Sequence, residues 1–178
     1  SVAQAYGARK FDKMNKYAGN SITLAFVIGM VIMIVAHFLS RPLLKAIDTP
    51  DDIIDMSAQY IDVLYYAVPI QMSLNNFNAL SRAVGDSKRP LYFLIVSVIV
   101  NLLLDILFVG AFKWGVIGAA WATAISELVA AVLSAISVLK YTEEYNIDKT
   151  ALKIDGKVSW AQIKIGIPIS LQFSITSI

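Results

Sequence analysis

The sequence predicts an all-α protein, a polytopic transmembrane helix bundle, and three observations carry that expectation. Of the 178 residues 57% are hydrophobic, well above the roughly 45–50% of a soluble domain. Four apolar runs, 18–39, 91–112, 115–139 and 158–178, each have the roughly 17–25 residues that a membrane-crossing helix needs. Basic residues, finally, alternate between the connections. Counted in order, the connections hold 4, 2, 3, 1 and 4 Lys or Arg, the pattern of cytoplasmic, outer, cytoplasmic, outer and cytoplasmic segments.

Taken in order, the first connection carries Arg9, Lys10, Lys13 and Lys16, and the run 18–39 follows. The next connection has Arg41 and Lys45 beside Asp48, Asp51, Asp52 and Asp55. A fifth helix is expected over 56–83. It is less apolar, containing Asp62, Pro69, Gln71, Asn75, Asn76 and Asn78, so it should turn a polar face toward protein or water. Thr49 is expected to cap it, with Pro50 in the first turn and Asp52 at capping-box spacing; Gly85 is expected to end it. Pro69 should kink it. The run 91–112 then crosses outward and 115–139 returns, with Gly115, Gly118, Ala119, Ala120, Ala122 and Ala124 allowing close helix approach. The chain opens without Met and closes inside an apolar run, so an internal piece of a longer polytopic chain is expected.

Composition excludes several function classes. A net charge of +2 provides no general basic field for nucleic acid, and zero cysteines leave neither disulfides nor thiolate metal sites. The single histidine, His37, makes no metal cluster and is expected to be solvated at the outer interface. No catalytic constellation appears, so an enzyme is not expected. Tyr60 to Asp62 with Gly85–Asp86 offers two aspartates too far apart to share a proton. The turn RAVGDSKRP lacks the spacing of a phosphate loop.

Asp105 needs an explanation, because a carboxylate at a helix centre in lipid costs about 2.5–3.5 kcal/mol. Asn101, four residues earlier, shares its helical face. At about 1.5 Å per residue, Asp105 lies about 10 Å and Asn101 about 16 Å from the outer end of their helix, and Thr123 about 12 Å below the surface on the next one. Tyr60 enters from outside at a similar or shallower depth. Such a set of oxygen donors suits Na⁺ or a proton rather than a soft metal, and the two would compete, because desolvation favours the neutral acid and a bound cation the charged form. Polar glue between helices is the other reading. Asp62 and Glu127 are further candidates for lining a cavity.

The stretch from Asn78 to Glu127 resembles the multidrug and toxic compound extrusion (MATE) family. It has that family's R-A-x-G-D-x-x-x-P turn, N-x-x-x-D at Asn101 and Asp105, and G-V-x-G-A-A-x-A-T from Gly115 to Thr123. SVAQAYGARK is similar to the end of the family's second helix, and IGIPISLQ to the opening of its seventh. The resemblance implies about one six-helix lobe of a twelve-helix transporter: residues 1–139 as most of the N-terminal lobe, 140–157 as the cytoplasmic connector and 158–178 as the first helix of the C-terminal lobe. In the family's prokaryotic DinF-like branch, it implies a cation site at Tyr60, Asn101, Asp105 and Thr123, with Asp105 and Asn101 as Na⁺ ligands if Na⁺ is the coupling ion. That branch also uses an Asp on helix 1, which this chain does not contain, and a Gln where Glu127 stands.

The implied function is Na⁺- or H⁺-coupled antiport of organic, often cationic compounds across a prokaryotic plasma membrane, with no cofactor beyond the coupling ion. The implied partners are those compounds, the lipid bilayer and the remainder of the polypeptide, helices 1 and 8–12. A lipid-linked oligosaccharide flippase and a non-transporting membrane scaffold are the alternatives.

Overall fold

The computed structural model describes residues 2–140, 155–164 and 166. Its helices are α1 (Val2–Gly7), α2 (Phe11–Ala46), α3 (Asp51–Ala83), α4 (Lys88–Asp105), α5 (Gly115–Lys140) and α6 (156–164), with a π-helical segment, Ile106–Ala111, continuing α4. Three are both long and apolar enough to cross a membrane among the described residues: α2, α4 with its π segment, and α5. At 33 residues α3 is long enough but too polar to qualify alone. The stretch 167–178, expected to complete a further span, lies outside the described residues, as do 141–154 of the expected connector. α6 starts at 156, two residues before the expected boundary.

Cross-helix contacts fix the directions. Between α2 and α3 the pairs Ser21–Asn76, Gly29–Pro69, His37–Asp62 and Arg41–Asp55 run in opposite senses, so the two helices form an antiparallel hairpin. Ser97–Ser126 and Asn101–Thr123 make α4 antiparallel to α5. Gln71–Glu127, followed by Leu80 packed with Val138, makes α3 parallel to α5. α3 lies between α2 and α5, α5 lies between α3 and α4, and α3 scarcely touches α4.

The close spacing comes from small residues. Ala120, Ala122, Ala124, Ser126, Ala130, Ala131, Ser134 and Ser137 are all buried along α5, as the expected small-residue packing requires. On α2, a Cβ added to Gly29 would stand 2.6 Å from the Pro69 Cα, so glycine there lets two backbones touch. At the basic end Ala18, Leu80 and Val138 form the core, with Val2, Ile22, Phe77 and Val84 packed around it.

The caps differ from expectation at one place. Thr49 does not cap α3; Pro50 does, with no side-chain cap. The Thr49 N–H instead bonds to the Leu44 carbonyl at 3.1 Å, and Asp48 takes a left-handed φ of 54°, so Thr49 finishes α2 rather than starting α3. The R-A-x-G-D turn is a mechanical corner. Gly85, at φ 90°, leaves α3 through the conformation that glycine adopts without strain. Asp86 Oδ1 then accepts from the Lys88 and Arg89 N–H groups at 3.2 Å each, opening α4.

Candidate cation site

One stripe of α4 faces protein. Phe93, Ser97, Val100, Asn101, Leu104 and Asp105 recur at three- and four-residue spacing and are half-buried, as is Phe108 beyond them, while Leu94, Ile95, Val98, Ile99, Leu102, Leu103 and Ile106 are exposed. Both polar residues of the N-x-x-x-D motif therefore point toward α5 and away from the lipid-facing surface.

Asn101 Nδ2 donates to Thr123 Oγ1 at 3.4 Å, and that hydroxyl donates to the Ala119 carbonyl at 3.1 Å. Thr123 thus spends its proton on its own helix and turns a lone pair to Asn101. One turn toward the opposite end, Ser97 Oγ donates to the Ser126 carbonyl at 3.0 Å. The register puts Asp105 level with Ala119, whose small side chain leaves room. Asp105 Oδ1 is buried from solvent and has no hydrogen-bond partner among the described residues. Buried polar atoms are nearly always paired, so a lone carboxylate oxygen on the protein-facing stripe is an acceptor waiting for a donor or cation.

Tyr60 lies on α3. The parallel register of α3 and α5 brings it near the same level, yet it forms no hydrogen bond to Asn101, Asp105 or Thr123. The structure joins Asn101 with Thr123 directly, sets Asp105 one turn away on the same face, and gives Tyr60 no hydrogen bond to them.

The other two candidates face other neighbours. Asp62 Oδ1 lies 3.2 Å from His37 Nδ1 on α2, without hydrogen-bond alignment. His37 also stacks on Tyr66 at 6.0 Å between ring centres. His37, expected to be solvated, keeps 44% of its side chain exposed and has in addition a carboxylate and an aromatic neighbour on α3. Glu127 Oε1 accepts from Gln71 Nε2 of α3 at 3.1 Å. Glu127 follows Thr123 by four residues and so lies only about 40° around α5 from it, yet its bond goes to α3 whereas that of Thr123 goes to α4.

Sequence reasoning missed the π-helical segment that begins at the residue after Asp105. Phe112 N–H bonds to the Leu107 carbonyl and Trp114 N–H to that of Phe108, both at 2.9 Å, while Phe108, Phe112 and Trp114 form an aromatic cluster, the closest pair 5.1 Å apart. Segments of this kind collect at functional sites. No signal in the uniformly apolar run 106–112 marks it.

The MatE family model matches residues 1–107. The chain belongs to the MATE family. It is 31% identical over 184 residues to the probable multidrug resistance protein YoeA of Bacillus subtilis, covering 99% of this chain and 40% of that protein. The fold also matches two solved MATE structures, described as inward-facing and outward-facing conformations of multidrug resistance transporters of the MOP superfamily. The inward-facing one has a TM-score of 0.85 at 23% identity, covering 94% of this chain and 38% of that one. The outward-facing one has a TM-score of 0.86 at 24% identity, covering 96% and 38%. The chain spans about two fifths of the length of these relatives. Its family is one of multi-pass membrane transporters, not of enzymes.

Proposed function

We propose that the full-length protein is a cation-coupled exporter of organic, often cationic compounds in a prokaryotic plasma membrane, with the basic end of the bundle in the cytoplasm. The observation that carries this reading is the buried, unpartnered Asp105 Oδ1 beside the Asn101–Thr123 pair. Family membership and the multidrug resistance name of YoeA support the export of drugs. The existence of inward- and outward-facing relatives supports alternating access.

The coupling ion is a transported substrate, and the donors suit a hard one. Asp105 supplies charge, while Asn101 and Thr123 each keep oxygen lone pairs free to accept a donor or coordinate Na⁺. A proton would neutralise Asp105 and a Na⁺ ion would hold it charged, so the two compete. Either converts a costly bare carboxylate into a tolerated group, and that difference links occupancy of the site to the state of the helices.

Asp105→Asn in the full-length protein tests the reading. It keeps shape and polarity and removes the titratable charge. In proteoliposomes, drug transport against its gradient, driven by Na⁺ or pH, should be abolished while the protein stays folded. Gradient-driven transport at the parental rate would overturn the assignment.

A further inference from the structure

A buried polar group with three hydrogen bonds lies outside the cation site. Asn20, nine residues into α2, is 1% exposed. Its Oδ1 accepts from the Asp155 N–H at 2.9 Å and from Ser159 Oγ at 3.1 Å, and its Nδ2 donates to Gln162 Oε1 at 2.9 Å. Gln162 Nε2 in turn donates to the Tyr17 carbonyl, also at 2.9 Å. Asp155 caps α6, its Oδ1 accepting from the Lys157 N–H at 2.9 Å. One amide thus gathers the first two turns of α6 and clasps them to α2, across a separation of 135 to 142 residues.

We infer that this clasp is a latch that closes the basic end of the transporter between its two lobes and parts when that end opens. The inference rests on the proposed alternating access, in which α6 opens the second lobe while α2 belongs to the first. The chemistry of the contact favours parting. Small side chains and interhelical hydrogen bonds both join membrane helices, and along α5 the small side chains dominate. Here every partner is a hydrogen-bonding group that water can replace once the gap hydrates. The same groups, when closed, specify one register, since both acceptor positions of the buried Asn20 oxygen are taken and an orphaned donor would be penalised.

The test uses the full-length protein with any cysteines removed, which this chain itself lacks. Single variants Ser159→Cys and Gln162→Cys are exposed to a water-soluble maleimide from the cytoplasmic side, in the presence and absence of a cation gradient and a drug such as ethidium. Ser159 is 8% exposed with the latch closed. A latch predicts labelling under native conditions at a rate that changes with the gradient or the drug. The double variant Asn20→Cys/Ser159→Cys, bridged by a short thiol cross-linker, should lose drug efflux and regain it on reduction. Thiols that stay unreactive until the protein is denatured, or a bridged protein that exports at the reduced rate, would overturn the latch. State-dependent labelling in a parental protein that moves no drug would instead sink the transport reading and leave the latch standing.

Discussion

Asn101 and Thr123 meet through one long hydrogen bond of 3.4 Å, and its loss should be measurable. Thr123→Val keeps the side-chain shape and removes the acceptor, leaving the Asn101 amide without its partner. A net bond of about 0.5–1.5 kcal/mol corresponds to a rise of roughly two- to tenfold in the cation concentration giving half-maximal transport. An unchanged cation dependence would remove Thr123 from the site. At this scale much was legible: a single carboxylate in an apolar run, with an amide four residues before it, is conspicuous because lipid penalises both. Tyr60 was placed by depth and by resemblance to the family, and neither says which residues it bonds to. The partners of His37 and Glu127 were illegible for the same reason, since each lies on a neighbouring helix.

Between elements, the α2–α3 hairpin turns on the contact of Gly29 with Pro69. Gly29→Ala would put a methyl 2.6 Å from a backbone carbon, which no rotamer change relieves, so the helices must separate. Overpacking of this kind costs about 1–3 kcal/mol, to be read as a lowered thermal midpoint of the full-length protein in detergent, with Gly7→Ala, which meets nothing within 4 Å, as control. Equal midpoints would mean that the hairpin tolerates a wider crossing. Helix existence and the end of α3 were legible here, because apolar runs and Gly85 act locally. The cap at Pro50 was not, because Thr49 was recruited by the preceding helix. Nor was the π segment, whose extra residue leaves no trace in a run that is apolar throughout.

For the molecule as a whole, the spans and the polarity of α3 could be read from composition, but the order of packing could not. Nothing periodic links Asn20 to Gln162, and only the folded chain brings them together. The same applies to the position of α3, flanked by α2 on one side and α5 on the other. That position has a consequence for biogenesis. A helix too polar to partition into lipid alone must leave the translocation channel in company, and α2, joined to α3 by a four-residue turn, is the companion already made when α3 emerges from the ribosome. In a glycosylation-based insertion assay, α3 by itself should remain on the aqueous side while the α2–α3 hairpin enters the membrane; autonomous entry of α3 would show that its amides and aspartates need no escort.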